Sequence, residues 1–109
     1  MGIDDTRVVD AISIDREGKV VTLTMFDAWD WTDEGRHLVA IQAKINSYFE
    51  FIQSGQIFDF YPKAAGKELL IDVIMQYPLT AKGVELLRRA DELARKLNAR
   101  VVQRLQRAE

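Results

Sequence analysis

The stretch ELLIDVIMQYPLT, residues 68–80, reads as a strand that stops abruptly. Leu69, Ile71, Val73, Met75 and Tyr77 fall on one side and Leu70, Asp72, Ile74 and Gln76 on the other, so one face suits a core and the other is mixed. Pro78 cannot continue a ladder, and Thr80 is a good cap for a helix that follows. Helical spacing of Val84, Leu87, Ala90, Leu93, Ala94 and Leu97 then predicts that helix. Asn98 can end it, and ARVVQRL, residues 99–105, reads as a last strand, with continuation of the helix from Leu97 through Val101 and Leu105 as the alternative.

Upstream, VVDAISID (8–15), REGK and VVTLTMF (20–26) predict a β-hairpin: Val21, Leu23 and Met25 alternate with Val20, Thr22 and Thr24, and Gly18 can supply a positive φ in the turn. Leu38, Ile41, Ile45, Tyr48, Phe49 and Ile52 repeat at helical spacing. Thr32 is the expected N-cap, Asp33 and Glu34 suit the positive end of the helix dipole, and Gly55 suits a left-handed residue past the end. A helix over about 33–53 follows. QIFDFYPKAAGKE (56–68) shows no clean period and, with Pro62 and Gly66, reads as a connector that packs aromatic side chains.

The expected fold is therefore a two-layer α+β domain of order ββαβα(β), a small, mainly antiparallel sheet packed by two helices. One domain over 1–109 suits the length, with 1–7 and 106–109 frayed. A chain 48% hydrophobic and 29% charged lies outside the disordered class. No apolar run approaches the length of a membrane span, and the acidic start MGIDDTRVVD lacks a signal-peptide core, so a cytoplasmic location is expected. The absence of cysteine excludes disulfides, thiolate metal sites and cysteine nucleophiles. Net charge is −2, but residues 1–55 hold five Lys and Arg against ten Asp and Glu, and the rest hold ten against seven. Such halves can complement each other within one molecule or between two.

DAWDWTDEGRHL (27–38) gathers two tryptophans, four acids and the only histidine. Asp27, Asp30, Asp33 and Glu34 do not follow the spacing of a calcium loop, and capping explains acids in a first turn, so no metal is expected. His37 could act as a general base oriented by Asp33 one turn earlier, making these two the weak catalytic candidates. A histidine beside an apolar stripe is more often a boundary residue, and Ser13, Ser47 and Ser54 lie in no nucleophile motif. Trp29 and Trp31 alternate on an extended segment, so one can enter the core while the other stays near the surface. Arg88, Arg89, Arg95 and Lys96 suit a solvated helix face and no nucleic-acid motif accompanies them, which argues against nucleic-acid binding. The glycines form no phosphate loop, and no cofactor is expected.

Trp31, Asp33, His37 and Leu38, then Gln42, Lys44, Ile45, Asn46 and Tyr48, then Phe51, Ile52, Ser54 and Gly55, and Tyr61-Pro62 carry a resemblance to a family of small bacterial proteins known only as a domain of unknown function. The hairpin, Tyr77, Gly83 and Leu87 fit as well, to about residue 97. The resemblance implies a compact bacterial α+β domain and transfers no catalytic residue. Members tend to end the second helix with a glycine, where this chain has Asn98-Ala99.

The surplus of aromatic residues outside regular elements, Trp29, Trp31, Phe58, Phe60 and Tyr61, suggests an exposed interface. The expected function is a non-enzymatic interaction module, a homodimer or the partner of another protein, with an uncovered sheet edge as a second route to pairing. The alternatives are a small-ligand or metal-dependent enzyme using Asp33 and His37, and an immunity-type protein binding a basic partner.

Overall fold

The computed structural model describes residues 3–106. The hairpin forms from β1 (Ala11–Ile14) and β2 (Val20–Asp27), joined by a turn in which Asp15 Oδ1 accepts the amides of Lys19 and Val20 and Gly18 sits at φ 69°. Helix α1 (Glu34–Gln53) follows, then a short helix α2 (Gln56–Phe60) and a 3-10 turn, Pro62–Ala64. Strand β3 (Glu68–Met75), helix α3 (Ala81–Ala94) and strand β4 (Ala99–Leu105) complete the chain.

The sheet runs β1-β2-β3-β4. The α+β class and the final strand agree with the sequence, whereas the expected antiparallel majority is corrected. Only β1 and β2 are antiparallel; β2 with β3 and β3 with β4 are parallel. Each of those two connections carries a helix that returns the chain to its starting end, which forces the parallel arrangement. Both crossovers step the same way across the sheet, so their shared right-handedness puts α1 and α3 on one face. Val21, Leu23 and Met25, Leu69, Ile71 and Val73, and Ala99 and Val101 point into that layer, against Ile41, Ile45, Tyr48 and Ile52 of α1 and Leu87, Ala90 and Ala94 of α3.

Several local expectations shift. Asp33, not Thr32, caps α1 by accepting the Arg36 amide at 3.2 Å. Thr80 caps α3 as expected, accepting from Gly83 N; past Ala94 the chain runs on into a 3-10 turn, Arg95–Leu97, and Asn98 closes that turn in the left-handed conformation at φ 57°. The connector contains α2 and the 3-10 turn, because Gly55 at φ 82° restarts the chain and Pro62 fits the first turn of a helix. Val84 and Leu93, read as part of the buried stripe, are half exposed, as is Tyr77 beyond the end of β3. Ile3, inside the segment expected to fray, is buried in the core; residues 1–2 and 107–109 lie outside the described residues.

The open edge of β4 is guarded. Asp91 of α3 accepts the outward Val101 amide at 2.9 Å and pairs with Arg100 at 2.8 Å. Such a cap obstructs the addition of a further strand there. The Arg100 guanidinium, helped by the Val101 amide and Arg95 against the opposing effect of burial, holds the Asp91 carboxyl down to about 2. Its folded value lies below its unfolded one, so the stability it contributes is present above about pH 4 and is lost as pH falls towards 2. Asp91→Asn is expected to lower neutral-pH stability by on the order of 1 kcal/mol and to flatten the loss between pH 4 and 2, read by urea denaturation across that range.

Candidate functional site

Strand β2 alternates with period two, so the parity that sends Val21, Leu23 and Met25 inward also sends Asp27 inward at the last position. Helix α1 begins seven residues later, and its periodicity places His37 on the same buried face as Ile41. These two constraints join the groups: His37 Nε2 lies 2.5 Å from Asp27 Oδ2, with both side chains 1% exposed. A carboxylate can only accept, so Nε2 carries the proton and donates it. Asp27 Oδ1 accepts the Trp29 amide at 3.0 Å, which turns the chain sharply after β2.

Two tryptophans enclose the ring. Trp31 stacks on His37 at 3.8 Å between centroids, and Trp29 meets it tilted at 5.6 Å, with the Arg36 guanidinium 5.1 Å above the Trp29 ring. Trp31 also reaches α3: a Cβ at Gly83 would stand 3.1 Å from Trp31 Cη2 and 3.0 Å from Leu79 Cδ2. Gly83→Ala gains helix propensity, but the indole is held by its stack on His37 and cannot retreat freely. A net loss of about 1–2 kcal/mol is expected, measured as a shift in the urea midpoint at unchanged slope.

The cluster lies at the carboxyl ends of the parallel strands, where α/β proteins commonly place ligands. Its chemistry is nevertheless enclosed. An Asp-His pair resembles the orienting half of a hydrolytic triad, but His37 Nδ1 is buried with no hydrogen-bond partner among the described residues, as is Trp31 Nε1. Asp33, expected to orient His37, instead caps its own helix. His37 is a core residue, not a boundary one. Among the described residues no group of three His, Asp or Glu side chains could hold a metal ion.

The five aromatic residues read as one interface divide into two groups. Trp29 and Trp31 stand before α1 and are half buried on His37. Phe58, Phe60 and Tyr61 follow α1, a 20-residue helix about 30 Å long. Phe58 and Phe60 are exposed there, Phe60 lying edge-on to Phe51 at 6.1 Å, and Tyr61 is half buried. The apolar surface that the sequence did not single out is the sheet face opposite the helices. Phe26, Ile74 and Arg104 form one row across it, Thr24, Asp72 and Val102 the next, and Thr22, Leu70 and Arg100 a third. Phe26 is 44% and Val102 38% exposed.

No helix among the described residues is long and apolar enough to cross a membrane. A family model described as a family of unknown function, DUF6572, matches residues 1–107. No curated protein and no solved structure matches the chain.

Proposed function

The chain belongs to DUF6572, a family of unknown function, and from that premise we propose a role resting on this molecule's own geometry: an interaction module that self-associates through the open face of its sheet. One observation carries the proposal. Two of the three strand pairings are parallel, yet among the described residues helices cover one face only, and the other face exposes Phe26 and Val102 beside the half-buried Leu70, while Ile74, between Phe26 and Arg104 in the register, is itself buried. Sheets rich in parallel strands are normally covered on both faces, and a second copy supplies the missing layer.

The remaining features of the face agree with this. Asp72 and Arg104 pair across it at 3.2 Å, leaving little unmatched charge at its centre. Four strands of up to eight residues present roughly 500 Å² in projection on each partner, at the small end of specific interfaces. A concentration-dependent dimer is therefore expected. Asp91 obstructs extension of the sheet through the β4 edge, which favours face-to-face stacking over strand addition there.

Light scattering after size exclusion tests this directly. The wild-type chain is expected to approach twice the monomer mass as concentration rises. Phe26→Asp should shift the midpoint at least about tenfold higher, corresponding to about 1.4 kcal/mol, with an unchanged circular dichroism spectrum. A wild-type monomer at every concentration, or a dimer indifferent to Phe26→Asp, would refute the proposal.

A further inference from the structure

His37 and Trp31 each bring into the core one nitrogen that no protein group among the described residues meets. His37 is 1% exposed, and its Nδ1 has no hydrogen-bond partner there; Trp31 is half buried, but its Nε1 is sealed and equally unmatched. These are the two buried side-chain polar atoms in that condition among the described residues, and they sit on rings in contact with each other. A polar atom left bare in a core forfeits its hydration, which is why such atoms nearly always find a partner, in protein or in ordered water.

The two atoms are of opposite kind. His37 Nε2 donates to Asp27, so the neutral ring presents a lone pair at Nδ1, an acceptor. Trp31 Nε1–H can only donate. The rings cannot bond directly, because they are stacked with centroids 3.8 Å apart and planes inclined by 27°. An N–H or a lone pair lies in the plane of its own ring and does not point at a ring lying over it. With centroids this close the nitrogens stand no more than about 6 Å apart, within the span of one water making two hydrogen bonds of about 2.9 Å.

The neighbouring polar groups are engaged elsewhere. Asp27 accepts from His37 and from the Trp29 amide, Asp30 from the Thr32 amide, Asp33 from the Arg36 amide and Thr80 from the Gly83 amide. Packing around the rings favours the smallest protic ligand: at Gly83 a Cβ would already stand 3.1 Å from Trp31 Cη2.

We propose that a single buried water bridges Trp31 Nε1 and His37 Nδ1, accepting from the indole and donating to the imidazole. Bound there, it holds the imidazole in the tautomer that serves Asp27 and fastens the start of α1 to the segment that precedes it. The site lies in the core beneath the helices, apart from the open sheet face, so it stands or falls independently of self-association.

Nuclear magnetic resonance on the full-length, nitrogen-15-labelled chain tests this, and His37, the only histidine, gives one pair of ring nitrogens to read. Nε2 is expected to be protonated and Nδ1 unprotonated, with Nδ1 shifted from the position of a free acceptor towards that of a hydrogen-bonded one. The Trp31 indole proton should show a cross-peak to water with the sign of a long-held molecule. Trp31→Phe keeps a ring on His37 but removes the donor, so the Nδ1 signal should move towards the free-acceptor position. Thr32→Val and Thr80→Asn remove hydroxyl protons that could relay such a cross-peak, Asn keeping the cap, and the peak should persist in both. No contact between the indole proton and water, a cross-peak lost with either hydroxyl, a proton on Nδ1, or an Nδ1 signal indifferent to Trp31→Phe would overturn the bridge. Should Trp31→Phe fail to fold, the wild-type and threonine-variant spectra decide it.

Discussion

Replacing Lys44 by methionine is expected to lower the unfolding free energy by about 3–5 kcal/mol, much of the 5–15 kcal/mol typical of a small domain. Lys44 Nζ lies 2.7 Å from Asp10 Oδ1, and both side chains are 0% exposed. The other Asp10 oxygen accepts the Phe26 amide at 2.8 Å, beyond the point where β1 begins. Tyr48 closes the same corner: its hydroxyl donates to the Thr24 carbonyl at 2.7 Å and accepts the Asp10 amide at 3.1 Å. Burial raises the Tyr48 phenol well above its ordinary range, so it remains a neutral donor. Methionine fills the volume of Lys44 but leaves the Asp10 carboxylate buried without its cation, and that stranded charge is the source of the loss. Urea denaturation measures it. The double variant Asp10→Asn with Lys44→Met should recover part of the stability, because the buried charge is gone. A single Lys44→Met variant within about 1 kcal/mol of wild type would show that the pair contributes little.

His37→Ala is expected to cost a similar amount, about 3–4 kcal/mol. The substitution removes a ring held between two indoles and leaves the Asp27 carboxylate buried with, among the described residues, only the Trp29 amide to satisfy it. Trp31 then loses its stacking partner, so the tryptophan fluorescence of the folded variant should change as well. This outcome separates the structural role from a catalytic one. A histidine kept for chemistry would leave stability nearly unchanged on replacement, whereas one that fastens the start of α1 to the end of β2 would not. His37→Ala unfolding at the wild-type urea midpoint would return Asp27 and His37 to consideration as a reactive pair.

Periodicity alone revealed most of the elements. The alternation in β2 and β3, the stripe in α1, Thr80 as a cap and Asn98 as a stop were all legible because each depends on neighbours within a few residues. Two further facts were present in the pattern without being recognised. Asp27 continues the inward parity of Val21, Leu23 and Met25, and Lys44 lies on the face of Ile41, Ile45 and Tyr48. A charge at a core position signals a buried partner, but neither the parity nor the stripe names it: Asp10 is 34 residues from Lys44.

The sequence by itself determined the α+β composition, the order of elements, the exclusion of cysteine chemistry, and the family resemblance that membership of DUF6572 now supports. The tertiary structure decided the parallel pairings, the Asp27–His37 and Asp10–Lys44 pairs, the division of the aromatic residues between opposite ends of α1, and the bare face of the sheet. Local spacing fixes which way a side chain points from its own strand or helix. Which element it then meets depends on the handedness and direction of the crossovers, and those are properties of the assembled layers.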